Sequence, residues 1–270
     1  MNMSKGTALV TGASTGIGAI YADRLARRGY DLILVARDAA RLEAVAGRLR
    51  SEAGVRVDVL VADLADRAQV ATVEQRIASD ESLTLLVNNA GISLEGTLID
   101  TPAATIEQLI AVNVTAPTLL AGAAVRAFAG RSGGGIINLS SVLALAPEMF
   151  DGTYSATKAF VLNLSQGLAK EVADRGIRVQ AVLPGATRTE IWARSGKDVD
   201  SFPPDWVMDA GDLVDAALVG YDRGETVTIP PLADEGDWQA MQAARVALGP
   251  NLSRRDVAPR YRQAAEAVAA

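Results

Sequence analysis

Residues 7–18 read T-A-L-V-T-G-A-S-T-G-I-G. A short apolar run passes directly into a turn holding Gly12, Gly16 and Gly18, and a helical pattern follows. The glycines have separate uses. Gly12 permits a tight strand-to-helix turn, Gly16 lets the backbone approach a phosphate, and Gly18 lets the helix lie close on the sheet. The N–H groups at the start of that helix face outward and suit a pyrophosphate. Ser14, Thr15 and Ile17 share the turn and count with the glycines as cofactor-binding candidates. The spacing departs from G-x-G-x-x-G but keeps its physical ingredients.

Outward from this turn, short Val-, Ile- and Leu-rich runs recur at 31–36, 56–62, 83–88, 135–140, 177–184 and 226–230. Longer segments at 17–28, 38–51, 66–79 and 104–129 supply helices between them. That alternation predicts βαβ units, a doubly wound and mostly parallel seven-stranded sheet with helices on both faces, in one domain over 1–270. Gly29 stops the first helix and Asp38 caps the next. The charged, Pro-containing stretch within 190–210 reads as a substrate lid or as an inert surface excursion. The segment 231–270 is less regular. Its residues 238–248 fit an amphipathic helix ended by Gly249-Pro250. As an extension it would pack on the domain, join a subunit interface or cover a substrate entrance.

The composition narrows the chemistry. With 26 basic and 32 acidic residues the formal net charge is −6, which argues against a nucleic-acid partner. There is no cysteine and no histidine. Thiolate nucleophiles, His-based triads and the common zinc sites are therefore excluded, and no metal is expected. General acid–base work falls to Tyr, Lys, Asp or Glu. An N-terminal apolar leader and an uninterrupted membrane-spanning run are both lacking, so the expectation is a soluble cytoplasmic protein without a membrane partner.

The second strand ends L-V-A-R-D at 34–38. An acidic residue there would hydrogen-bond a ribose 2′-hydroxyl, whereas Arg37 offers charge to a 2′-phosphate and favours NADP(H) over NAD(H). In A-D-L at 62–64, Asp63 either bonds the adenine edge or caps the next helix, and Leu64 accompanies it. N-N-A-G at 88–91 brings Asn89, Ala90 and Gly91 to the carboxyl end of the fourth strand. In T-Y-S-A-T-K at 153–158, Tyr154 and Lys158 stand four apart and share a helix face. A tyrosine with a pKa of about 10 needs a nearby cation to serve near neutrality.

Taken in order, these motifs closely resemble the classical short-chain dehydrogenase/reductase family over roughly residues 6–190. Asn113 in V-N-V, Ser141 in N-L-S-S and P-G-A-T-R-T at 184–189 complete the resemblance. It implies a Rossmann-like fold and NADP(H)-dependent carbonyl reductase or alcohol dehydrogenase activity. By the same resemblance Tyr154 is the general acid or base, Lys158 its tuning partner and a ribose ligand, and Ser141 the hydroxyl that orients the substrate oxygen. Asn113 would hold a water beside the lysine. Ser141 lies 13 residues before Tyr154, the family spacing, and Ser140 is then structural. Pro184, Gly185, Thr187 and Thr189 would line the nicotinamide end, with Thr189 ranked above Thr187. Leu143, Met149, Phe150 and Trp192 are candidate substrate contacts with Ser141 and Tyr154. Trp206 is a weaker one, and Arg194 and Lys197 would attract an acidic substrate. The resemblance also implies a homodimer or homotetramer. The segment G-E-T-V-T-I-P-P lacks the glycine-rich ending frequent in the family, which weakens the tetramer and any transfer of substrate. The alternative of a different class is a nonenzymatic dinucleotide sensor or scaffold.

Overall fold

The computed structural model describes residues 5–94, 96, 98–131, 133–194, 196 and 198–262. The chain divides into two compact units, 1–231 and 232–270. In the first, seven strands make one sheet: β1 (Thr7–Thr11), β2 (Asp31–Ala36), β3 (Val57–Val61), β4 (Leu83–Asn88), β5 (Gly134–Leu139), β6 (Ile177–Val182) and β7 (Val227–Thr228). Their order is β3-β2-β1-β4-β5-β6-β7, and every pairing is parallel. The direction of winding reverses between β1 and β4, so a crevice opens at the carboxyl ends of these strands.

Strand alternation sorts the core into two halves. On one face Ala8, Val10, Leu32 and Leu34 pack against α1 (Gly16–Arg27), α2 (Ala39–Ala53) and α8 (Ala210–Arg223). On the other, Leu9, Ile33, Leu86 and Ile136 pack against α3 (Arg67–Ser79) and α5 (Ala116–Ala129). The remaining helices of this unit are α4 (Ala103–Ile110), α6 (Gly152–Glu171) and the single turn α7 (Ile191–Arg194). Asp38, Asp66 and Asp151 cap α2, α3 and α6 through their carboxylates, and Gly54 ends α2 at φ 68°. Buried Asp23 of α1 gathers Arg24, Arg27 and Arg48, which ties α1 to α2.

Two elements differ from the sequence expectation. The last strand is two residues long because Pro230 and Pro231 cannot donate to the ladder. The helix expected over 104–129 is interrupted by a π-helical turn, Ala111–Thr115, between α4 and α5. By length and composition the stretch Ala103–Ala129 (mean hydropathy 1.5) would suffice to cross a membrane, yet 44% of that window is buried in the molecule. Its Ala116, Leu120, Ala124 and Phe128 belong to the core.

The second unit holds α9 (Glu235–Ala247), capped by Asp234, and the short α10 (Gly249–Leu252). Gly249-Pro250 thus ends one helix and opens a further turn, where Pro is tolerated.

Candidate active site

The glycine turn takes the form its sequence requires. Gly12 and Gly16 have φ of 67° and 55°, a region costly for a side chain. A Cβ on Gly18 would overlap the Gly12 carbonyl and the Asn89 amide. The N-N-A-G loop braces the turn from the next strand. The Asn89 side chain donates to Thr11 O (2.9 Å), and the N–H groups of Asn89 and Ala90 both donate to Thr11 Oγ1 (3.0 Å each). The N-cap residue of α1, Thr15, makes no side-chain cap hydrogen bond to its first turn. Thr189 lies over Gly16, with its Cγ2 3.5 Å from where a Cβ would stand. With no side chain at these three glycines and a helix N-terminus beside them, the turn could hold a pyrophosphate through its main-chain N–H groups.

At the adenosine end Arg37 is 58% exposed and its nearest ion pair is Asp63 at 4.0 Å. The neighbouring acid, Asp38, turns back to accept from Arg41 N–H (3.0 Å). Asp63 Oδ1 accepts from Ala65 N–H (2.9 Å) and its other oxygen faces Arg37, so the carboxylate shapes the turn before α3. The Leu64 side chain is buried in the core, which limits that residue's cofactor role to its main chain. Thr187 is buried and its hydroxyl donates to Gly185 O (3.0 Å), so its side chain builds the loop.

The catalytic candidates converge where β4, β5 and α6 meet. Lys158 is buried and its Nζ donates to Leu139 O (3.0 Å). It lies 5.6 Å from the centre of the Tyr154 ring, and a Cβ on Gly91 would come within 3.3 Å of it. Ser140 Oγ donates to Lys158 O (2.7 Å) and joins β5 to α6. Ser141 Oγ accepts from Leu143 N–H (3.2 Å) and makes only a long contact to Pro184 O (3.5 Å). Val142 to Ala144 form a turn that packs on α6.

Asn113 lies in the π-helical turn. Its Oδ1 accepts from Ile92 N–H (2.9 Å), and its amide donates to Ile92 O (2.9 Å) and Thr157 Oγ1 (3.2 Å). Both amide protons are therefore committed to protein partners, so a water beside the lysine would have to donate to an Asn113 oxygen. Burial governs the titrating pair. It pushes the Tyr154 phenol above its ordinary value and brings Lys158 down to about 8. For Tyr154 this burial acts against the lowering expected from Lys158.

On the substrate side, Phe150 and Trp192 are half-buried near Tyr154, Leu143 is half-buried and Met149 is exposed. Trp206 is exposed and lines a recess of about 230 Å³ together with Gly185 and Met208. A recess of about 420 Å³ lined by Glu74, Gln75, Ala78, Ala123, Arg126 and Ala127 contains none of these groups. Lys197 and the Arg194 side chain lie outside the described residues. Sequence reasoning overlooked Asp151, although an Asp before a helical run is an N-cap signal. Its carboxylate accepts from Thr153 N–H (2.9 Å) and Tyr154 N–H (3.2 Å). Thr157 was missed as well, because nothing in Y-S-A-T-K marks its link to Asn113.

Residues 6–200 match the family model described as short chain dehydrogenase. A short-chain dehydrogenase from Sphingobium yanoikuyae solved in complex with NADPH is 52% identical, with a TM-score of 0.93 over 95% of this chain and 100% of that one. The bulky-bulky ketone specific alcohol dehydrogenase from Comamonas testosteroni is 46% identical, with a TM-score of 0.89 over 96% and 99%. A galactitol 2-dehydrogenase (L-tagatose-forming) from Cereibacter sphaeroides is 36% identical over 68% of this chain and 72% of its own length. Fold, ordered motifs and these likenesses agree: the chain belongs to the short chain dehydrogenase family, whose members are oxidoreductases that bind a nicotinamide cofactor.

Proposed function

We propose that this protein is an NADP(H)-dependent carbonyl reductase that interconverts a ketone or aldehyde with its alcohol. The observation that carries the reading is Lys158, buried beside the Tyr154 ring and tied to the end of β5, two residues before Ser141. Gly12, Gly16, Gly18 and the N–H groups opening α1 would hold the pyrophosphate, with Thr189 above them. Arg37 would take the 2′-phosphate, and Gly91 with Lys158 would meet the nicotinamide ribose. When bound, the cofactor supplies or accepts the hydride.

The chain's own groups manage the proton and the developing charge. In the reductive direction the Tyr154 phenol gives its proton to the substrate oxygen, and Ser141 donates a second hydrogen bond as negative charge builds there. In the oxidative direction the phenolate takes that proton back. Lys158 assists as a cation, and its pKa of about 8 keeps a large share of it charged near neutrality. The NADPH complex of the Sphingobium relative and the Comamonas ketone specificity support this choice of cofactor and substrate class. The same reading takes 190–210 as a lid and the enzyme as a cytoplasmic homodimer or homotetramer, open to sedimentation and fractionation.

The test is a screen of aldehydes, ketones and ketoesters with NADPH and NADH in parallel. Turnover with NADPH preferred is the expected result. Tight cofactor binding without any turnover would favour the sensor or scaffold alternative, and faster use of NADH would overturn the assignment of Arg37.

A further inference from the structure

Aromatic side chains are scarce, with four Phe, three Trp and five Tyr in 270 residues. Four of them nevertheless form one row starting at the proton-transfer tyrosine. Tyr154 meets Phe150 edge-on at 6.3 Å and 69°, Phe150 meets Trp192 at 6.3 Å and 88°, and Trp192 meets Phe202 at 5.0 Å and 57°. None of the four is fully buried, whereas Tyr21 and Phe128 are completely enclosed in the core. A core aromatic is covered on all sides. These keep an open side.

The row is held in place from several directions. Asp151 caps the helix between Phe150 and Tyr154. The Trp192 indole N–H donates to Thr187 O (2.7 Å), and Thr187 is itself anchored on Gly185. Phe202 follows the turn Val199–Ser201, which Asp198 caps and an Arg188–Asp200 ion pair (2.8 Å) ties back.

We propose that this row is the recognition surface for an aryl substituent on the carbonyl carbon, and that Phe202, packed on Trp192, is a positioning residue that sets specificity through that ring. The inference rests on the carbonyl-reductase reading and narrows it. Ring faces and edges attract another ring through dispersion and quadrupole complementarity. They offer a hydroxylated or charged substituent no replacement for its lost water. A ketone held at Tyr154 with a phenyl group therefore gains along the row, and a polyol loses.

The experiment compares initial rates with NADPH on acetophenone, cyclohexyl methyl ketone and 2-butanone for wild type, Phe202→Ala, Phe202→Leu and Phe202→Tyr. Wild type should prefer acetophenone over its cyclohexyl counterpart. In F202A the ratio of acetophenone to 2-butanone kcat/KM should fall roughly 2- to 10-fold, the worth of one aromatic pair. F202Y should keep the ratio and F202L should not. Equal losses on both ketones, or an unchanged ratio, would overturn the proposal. Wild type that turns over no carbonyl would sink the reductase reading instead. The row is then judged by binding of 1-phenylethanol to the NADPH complex, followed by tryptophan fluorescence. Weaker binding in F202A supports the row, and equal binding overturns it.

Discussion

Lys158 Nζ donates a 3.0 Å hydrogen bond to the carbonyl oxygen of Leu139, inside the protein and away from water. Burial brings this lysine from 10.5 down to about 8. Between those values the unfolded chain binds the proton more firmly than the folded one, so stability rises with pH through the window and is lost as pH falls through 8. From pH 7 to 9.5 the gain amounts to about 2 kcal/mol at roughly 1.4 kcal/mol per pK unit. Urea unfolding of the cofactor-free protein at the two pH values should show that rise in wild type. Lys158→Met should flatten it, and an undiminished slope in the variant would refute the assignment.

Gly18 touches two partners that cannot move independently. A methyl group there meets the Gly12 carbonyl and the Asn89 amide together. Gly18→Ala should cost about 1–3 kcal/mol of stability by overpacking. It should also weaken NADPH binding, because the same atoms shape the turn. Thermal unfolding and NADPH fluorescence titration read the two effects separately.

Arg37 should set cofactor choice. A charge-assisted hydrogen bond to the 2′-phosphate is worth about 1.5–3 kcal/mol, so Arg37→Ala should reduce kcat/KM for NADPH roughly 10- to 100-fold. The value for NADH should move much less. A parallel loss with both cofactors would show that Arg37 acts on the fold.

Thr157 bridges the π-helical turn and the catalytic helix. Its hydroxyl donates to Tyr154 O (2.7 Å) and accepts from the Asn113 amide (3.2 Å). Thr157→Val leaves a buried amide proton without its partner, a penalty of about 1–3 kcal/mol. We expect kcat to fall roughly tenfold with a smaller change in KM, and Thr157→Ser to recover most of it. A loss confined to stability, with kcat intact, would reduce Thr157 to a packing residue.

Much of this molecule is legible in its sequence because its signals are local. The strands at 7–11, 31–36 and 83–88 coincide with the apolar runs that announce them. The glycine turn follows from what a missing Cβ allows. Features made by tertiary contact are less visible. The π-helical turn at Asn113 has one local mark, Pro117, which lacks the N–H that an α-helix would give the Asn113 carbonyl, but its partners Ile92 and Thr157 lie far away in sequence. Phe202 lies 48 positions beyond Tyr154, and no spacing rule connects them. Burial of Tyr154 and Lys158 works against a simple electrostatic expectation, because desolvation depends on neighbours that a motif does not show.

The two adjacent serines after β5 carry one more consequence. The ladder to β6 continues past the strand, with Ser140 N–H donating to Val182 O and Val142 N–H to Pro184 O. Ser140 spends its hydroxyl on α6, and Ser141 presents its own on the alternate side. Strand length therefore works as a vernier. Adding a single residue in β5 would carry Ser140 to the place of Ser141 and leave Leu139 in the joint, whereas removing one would put Ser141 in the joint and Val142 in its former place.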